Sequence, residues 1–153
     1  MTPNTGISNT DAITDSLSNY LADTYALYLK TQNYHWNVQG IHFASLHAFF
    51  EEHYQALAES VDELAERIRS LGAHAPGSFT KFAKRTQLEE ASGQEDSQQM
   101  LKTLLRDHET LARSGKKLIE EAEEGADFAT ADLITARVAF HEKTAWMIRS
   151  HLE

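Results

Sequence analysis

The chain has 153 residues, of which 41% are hydrophobic. This length is sufficient for one domain with a buried core and is short for two domains. It contains no cysteine, which excludes disulfides, thiolate metal ligands and a cysteine nucleophile. Its formal net charge of −9 opposes binding to phosphate backbones, which attract clustered Lys and Arg, and is compatible with cations as partners.

The first ten residues, MTPNTGISNT, hold neither a basic segment nor an apolar run, so they do not read as a secretion signal. We expect them to form a flexible tail of a single domain that spans residues 1–153. No other stretch approaches the roughly 18 consecutive apolar residues of a membrane span. A soluble cytoplasmic protein without a membrane partner is therefore expected.

Two long helices are predicted in the first half of the chain. Apolar and aromatic residues from Ile13 to Tyr34 recur at steps of three and four, which places them on one face of a helix. The same spacing runs from Phe43 to Leu71 and stops at Gly72, a typical residue after a helix end.

The second half begins with a long connection, AHAPGSFTKFAKRTQLEEASGQ, with a short helix expected around Ser78 to Lys84. A third long helix is marked by apolar residues from Leu101 to Ile119, and a fourth runs to Leu152 in near-perfect heptads. No strand pattern competes with them. Four long helices with one long crossover between the second and third predict an all-α, ferritin-like four-helix bundle.

The second helix carries two pairs of metal-binding residue types, His47 with Glu51 and Asp62 with Glu66. Members of each pair are four residues apart, so they share a helical face where both can hold one cation. The alternative for Asp62 and Glu66 is a solvated acidic face beside Arg69.

The two pairs cannot share an ion within one chain. Asp62 follows His47 by fifteen residues, which is roughly 22 Å along a straight helix, although their directions differ by only about 60°. If two copies of the helix pack antiparallel across a two-fold axis, the histidine end of one meets the carboxylate end of the other. None of the eight histidines has a glutamate three residues before it, which counts against a di-iron centre inside one bundle.

A specific set of residues matches a known family over essentially the whole chain. They are His35-Trp36, Gly40, Phe43, Leu46-His47, Asp62, Ala65-Glu66-Arg67-Ile68, Leu71-Gly72, His141-Glu142-Lys143 and Ala145-Trp146. With them the chain resembles the Dps proteins (DNA-binding proteins from starved cells), also called mini-ferritins. The resemblance implies a hollow homododecamer that oxidises Fe²⁺ at two-fold interfaces, preferably with hydrogen peroxide, stores the ferric product inside and so protects against oxidative damage.

The resemblance also implies a ligand set for one or two iron ions at each site. It consists of His35, His47 and Glu51 from one subunit with Asp62 and Glu66 from its partner. The family often has aspartate where Glu51 stands, so direct ligation and ligation through water both stay open for this residue. Zinc would compete for the same ligands, because the general affinity order places it above Fe²⁺.

Three further features have two interpretations each. Trp36 is either an interface or core aromatic or, as the resemblance implies, an electron donor beside the iron site. In the acidic run near the start of the fourth helix, Asp127 or Thr130 is a candidate helix cap. The resemblance instead implies a channel there that attracts Fe²⁺, with Asp127 and Asp132 as its candidate residues. His42 is assigned to a turn rather than to metal, and the remaining histidines, His53, His74, His108, His141 and His151, to the core or the surface.

The charge distribution predicts weak or absent DNA binding. No Lys or Arg precedes Lys30, and the group of Lys81, Lys84 and Arg85 is small enough to be a solvated loop face. The function that the resemblance implies is that of a ferroxidase and iron store. One alternative is an architectural DNA-binding shell of starved cells whose metal sites are mainly structural, and another is a bundle whose carboxylates are only solvated surface.

Overall fold

The protein consists of five helices, which a computed structural model describes over all 153 residues. In chain order they are α1 (Thr10–Asn37), α2 (Phe43–Ser70), α3 (Phe79–Arg85), α4 (Ser97–Glu124) and α5 (Phe128–Leu152). The four long helices form a bundle in which α1 packs against α2 and α4, and α4 packs against α5, while the short helix α3 lies on α1. There is no strand. The predicted all-α bundle with a long crossover is confirmed.

The core follows the periodicity of the sequence. Ile13 and Leu17 from α1, Phe50 from α2 and Ile134 from α5 are completely buried, as expected for residues on the inward faces of amphipathic helices. Helices α4 and α5 approach closely at Gly115, where an added Cβ would lie 2.6 Å from Val138 Cγ2. None of the five helices has the length and apolar character needed to cross a membrane.

The helix ends are set by local signals that the chain carries itself. Asp96 and Gln99 form a capping box at the start of α4, and the side chain of Ser78 accepts from the backbone N–H of Lys81 at the start of α3. Each such cap stabilises a helix by about 1 kcal/mol. At the end of α2, Gly72 adopts φ 92°, a left-handed conformation that glycine tolerates without strain.

The N-terminal segment differs from the flexible tail expected over residues 1–10. The side chain of Ile7 packs against the core, and the backbone N–H of Ser8 donates to the carbonyl of Gly125 at 2.9 Å. The ring of Pro3 lies against Gly72 at the other side of the same bundle end. The segment therefore packs across the end of the bundle, because apolar side chains at Pro3 and Ile7 find complementary positions there.

Candidate metal centre

Two of the predicted ligands, His35 and His47, meet at one end of the bundle. His35 is in the last turn of α1 and His47 is in the second turn of α2, so the short link between the helices brings them together. Their rings stack with centroids 3.8 Å apart and planes 15° from parallel. His35 is buried and His47 is half-buried, so the pair is held in place but reachable from outside the subunit.

Each histidine is oriented by the backbone of the other. The Nδ1 of His35 donates to the carbonyl of His47 at 2.7 Å, and the Nδ1 of His47 donates to the carbonyl of His35 at 2.7 Å. A carbonyl oxygen only accepts, so both Nδ1 atoms carry a proton, and in the tautomer that this fixes the lone pair of each ring is on Nε2. Metal-binding histidines are typically oriented by a bond of this kind from the second ring nitrogen.

The stacking constrains how these lone pairs can be used. An imidazole lone pair lies in the plane of its ring, and metal–imidazole bonds are roughly 2.0–2.1 Å long. The planes of the two rings are nearly parallel and their centroids are 3.8 Å apart. No single metal position therefore lies in both ring planes at bonding distance from both Nε2 atoms. The pair is therefore suited to two ions, one on each histidine, rather than to chelating a single ion.

Aromatic rings and one carboxylate surround the pair. Phe43 stacks on His47 with centroids 5.0 Å apart, and Tyr54 approaches His35 edge-on at 5.2 Å. Glu51 lies one turn after His47 on α2, is half-buried, and forms neither a side-chain hydrogen bond nor an ion pair within the chain. Its carboxylate is thus available to a cation.

Asp62 and Glu66 lie toward the other end of α2, both exposed and both without an ion pair within the chain. Arg69 does not neutralise them, because its guanidinium donates to the carbonyl of Ala73 at 2.9 Å. Within one chain, no group of three or more His, Asp or Glu side chains converges on a position for a metal ion. The five predicted ligands therefore lie in two separate groups on each chain, one toward each end of α2.

Trp36, adjacent to His35, is 60% exposed and forms no hydrogen bond through its indole N–H. It does not belong to the core, which leaves an interface or the metal site as its place. His42 occupies the position before the first residue of α2 and is exposed, in agreement with its assignment to the turn.

Asp127 and Asp132 occupy different environments. Asp127 is buried: one oxygen accepts from Arg67 at 2.6 Å and from the backbone N–H of Thr130 at 3.0 Å, so it caps α5 and closes an ion pair. The helix-cap interpretation is confirmed. With its oxygens committed to these partners Asp127 does not line an open passage, and the channel prediction rests on the exposed Asp132.

A second histidine cluster lies inside the bundle and was not predicted as a group. His53, His108 and His141 are buried, with His108 and His141 joined through their Nδ1 atoms at 2.8 Å. Burial lowers the pKa of His108 to about 3 and lowers the pKa values of His53 and His141 as well, so these rings are neutral. Their individual assignment to the core is confirmed, while His74 and His151 are exposed.

The small basic group lies on α3, within the crossover. Lys81, Lys84 and Arg85 line a shallow pocket of about 250 Å³ together with His74. The guanidinium of Arg85 donates to Asp15 at 3.0 Å and to Asn19, which partly neutralises the group.

Comparison with known proteins places these features in a family. A model of the ferritin-like domain matches residues 14–153. The chain is 42% identical over 139 residues to an uncharacterised low temperature-induced protein of Nostoc sp., covering 90% of this chain and 78% of the relative. It is 35% identical over 137 residues to a DNA protection during starvation protein of Brevibacillus brevis, covering 90% of this chain and 92% of the relative.

A solved structure of similar shape carries a chemical description. It is a Dps protein from Vibrio cholerae O1, described as a member of a broad superfamily of ferritin-like diiron-carboxylate proteins. The two chains superpose with a TM-score of 0.92 at 31% identity, covering 99% of this chain and 100% of the other.

Proposed function

This chain is a member of the Dps family of ferritin-like proteins, and from that premise we propose that it oxidises Fe²⁺ with hydrogen peroxide at sites shared between two subunits. The ferric product is stored inside a hollow homododecamer. The observation that carries the proposal is the division of α2 into a histidine half-site at one end and an unpaired carboxylate half-site at the other. Neither half has enough ligands alone.

Two copies of α2 packed antiparallel about a two-fold axis complete both sites at once. The Nε2 atoms of His35 and His47, with Glu51, then face Asp62 and Glu66 from the other subunit. Imidazole and carboxylate ligands together suit first-row transition metals, and the negative carboxylates favour Fe³⁺ over Fe²⁺. The stacked rings support two ions per site, one on each histidine.

Two Fe²⁺ ions at one site match the electron demand of peroxide. Hydrogen peroxide accepts one electron from each ion and two protons from solvent, giving two Fe³⁺ and two waters. Because both electrons arrive together, no hydroxyl radical is released. Consuming Fe²⁺ and peroxide in the same step protects other macromolecules from oxidative damage, and zinc competes for the same ligands.

Storage requires assembly, because a 17.2 kDa bundle with a filled core has no space of its own for a mineral. We assign iron entry to the turn between α4 and α5, with Asp132 rather than Asp127 exposed to attract the cation. Trp36 is placed at the two-fold interface beside the iron site, where its exposed ring is covered by the partner subunit.

Complementary variants test the shared site. One variant carries His35→Ala with His47→Ala, and the other carries Asp62→Ala with Glu66→Ala; each alone is expected to be nearly inactive. In a mixed two-fold dimer one site has all five ligands, while the other lacks both histidines and both of the substituted carboxylates. Random pairing makes about half the dimers mixed, so about a quarter of the wild-type activity returns on co-assembly.

The matched control is Asp11→Ala with Asp15→Ala, which removes two exposed carboxylates at the same spacing on α1 and retains wild-type activity. Activity at the background of the separate variants, with mixed dimers verified by mass spectrometry, rejects a site built from two chains.

An architectural DNA-binding role has weaker support, because the chain is acidic and the basic group of Lys81, Lys84 and Arg85 is partly neutralised by Asp15. We expect no retardation of duplex DNA in a gel-shift assay at physiological salt. Retardation that weakens steeply as salt rises would instead identify a phosphate-binding surface.

A further inference from the structure

A file of tyrosines begins at the histidine pair and leads away from it. The ring of Tyr54 contacts His35 with centroids 5.2 Å apart, Tyr28 follows 6.0 Å from Tyr54, and Tyr25 lies 5.6 Å from Tyr28. Beyond them Tyr25 stacks on Phe82 of α3 at 4.8 Å. All these separations are within the contact range of aromatic pairs, so the file from Tyr54 to Tyr25 has no gap.

The file ends at the surface of the subunit. Tyr25 and Phe82 line a groove of about 340 Å³ between α1, α3 and the crossover. All three tyrosines are only half-buried, and the one side-chain hydrogen bond among their hydroxyls is donated by Gln32 to Tyr28. Their phenolic protons are therefore not committed to a buried partner.

Tyr20 and Tyr34 provide the contrast within the same chain. Both are buried; the hydroxyl of Tyr20 donates to the carbonyl of Leu111, and that of Tyr34 donates to Glu95. Burial raises the pKa of each phenol, because the charged form is poorly solvated. A phenol releases its proton when it loses an electron. The half-buried tyrosines can pass that proton to solvent, whereas the hydroxyl of the buried Tyr20 has only a backbone carbonyl beside it.

We propose that Tyr54, Tyr28 and Tyr25 form an electron relay that serves the iron site when only one Fe²⁺ is bound. This proposal rests on the proposed ferroxidase function. Hydrogen peroxide then takes one electron from Fe²⁺ and one from a tyrosine. One phenol proton and one solvent proton complete two waters, leaving Fe³⁺ and a neutral tyrosyl radical. The radical moves outward by successive electron transfers from Tyr28 and then from Tyr25.

The relay has a physical advantage over a single transfer. Electron transfer slows steeply with distance, so three steps between touching rings are faster than one step from His35 to the surface. At Tyr25 the radical is accessible from the groove to a small one-electron reductant, which returns an electron and a proton and restores the phenol. The chain has no cysteine to divert the radical.

The test interrupts the middle of the file with Tyr28→Phe, which keeps the ring contacts but removes the oxidisable hydroxyl. The matched control is Tyr20→Phe, which removes a tyrosine hydroxyl outside the file. Each assembled protein is loaded with Fe²⁺ below one ion per site, treated with hydrogen peroxide and a spin trap, and digested for mass spectrometry to locate the adducts.

In the wild type and in Tyr20→Phe, adducts are expected at Tyr25. In Tyr28→Phe the adduct at Tyr25 falls several-fold, and the radical detected by electron paramagnetic resonance persists longer when ascorbate is added. Oxidation with Fe²⁺ at two ions per site is unchanged in both variants.

An equally strong Tyr25 adduct in Tyr28→Phe, or adducts confined to Trp36, would overturn the relay. A wild-type protein that oxidises Fe²⁺ without any tyrosine adduct also rejects the relay but leaves the ferroxidase proposal standing. Failure of the wild type to oxidise Fe²⁺ rejects the ferroxidase proposal itself.

Discussion

The two groups of histidines in this chain differ in what their ring nitrogens are bonded to. His35 and His47 each donate Nδ1–H to a backbone carbonyl, which leaves Nε2 as the nitrogen for a ligand. In the bundle interior, His108 and His141 bond to each other through Nδ1, and the Nε2 of His141 has no partner. The difference lies in the partners of the ring nitrogens: each ring of the His35 and His47 pair bonds to a backbone carbonyl through Nδ1, whereas the interior rings bond to each other.

The two groups also differ in electrostatic setting. The surface pair lies beside the unpaired Glu51, whereas the interior cluster lies beside Arg137, whose charge further lowers the pKa values of His108 and His141. A nearby cation disfavours binding of a second cation. The electrostatic setting of the surface pair therefore favours a bound cation, as the proposed iron site requires, whereas that of the interior cluster disfavours one.

The largest expected effect is on the rate of Fe²⁺ oxidation at the proposed surface site. Replacing Asp62 and Glu66 by Ala together should slow peroxide-dependent Fe²⁺ oxidation by at least roughly 100-fold, the upper end of what even supporting residues contribute to metal sites. Circular dichroism should show intact helices, since both side chains are exposed. Unchanged initial rates in an assembled double variant would reject the assignment of these carboxylates.

The reverse experiment changes the interior cluster. His108→Ala removes a fully buried ring and leaves His141 without its partner, so the free energy of unfolding should fall by about 2–4 kcal/mol. Denaturant unfolding at one fixed protein concentration measures the change. Fe²⁺ oxidation per folded subunit should stay near the wild-type value. A loss of oxidation as severe as that of the carboxylate variant would place the interior cluster in the iron chemistry.

The pH dependence of stability gives a second test of the interior histidine cluster. Because burial depresses the pKa of His108 to about 3, the unfolded chain binds its proton more readily than the folded protein does. Stability is therefore highest above the unfolded pKa of about 6.5 and falls as the pH decreases below it. His108→Leu should reduce this slope by at most about 1.4 kcal/mol per pH unit.

The smallest expected effect concerns Glu51, the remaining carboxylate of the surface half-site. Glu51→Asp shortens the side chain by one methylene but keeps the charge, so Fe²⁺ affinity should change by less than about tenfold. Glu51→Ala removes the charge and should weaken binding more. Titration with Fe²⁺ under nitrogen distinguishes the two, and equal affinities for both variants would indicate that Glu51 does not contact the ion.

Most of the fold could be predicted because its determinants are local. The apolar periodicity from Phe43 to Leu71 and the glycine at 72 defined α2 to within a residue, and Ser78 was placed at the start of α3. The docking of residues 3–8 could not be predicted, because it depends on surfaces of Gly72 and Gly125 that are formed only when α2, α4 and α5 have packed together.

The candidate site divides in the same way. Spacing alone placed His47 with Glu51 and Asp62 with Glu66 on α2, because positions four apart on a helix share a face. That His35 and His47 orient each other, and that Asp127 is committed to Arg67, depends on contacts between residues 12 and 60 positions apart. The apolar periodicity of a single helix does not indicate which side chains of other helices it will contact.

The sequence by itself determined the helices, the residue types of both half-sites and the acidic surface, since these follow from local propensity, spacing and composition. Only the tertiary structure decided which nitrogen of each histidine is available, which aspartate is buried, and that Tyr54, Tyr28 and Tyr25 form a continuous file. The physical reason is that ring orientation, burial and contact arise from the packing of α1 against α2 and α3. Side chains on separate helices acquire fixed positions relative to one another only in that packed state.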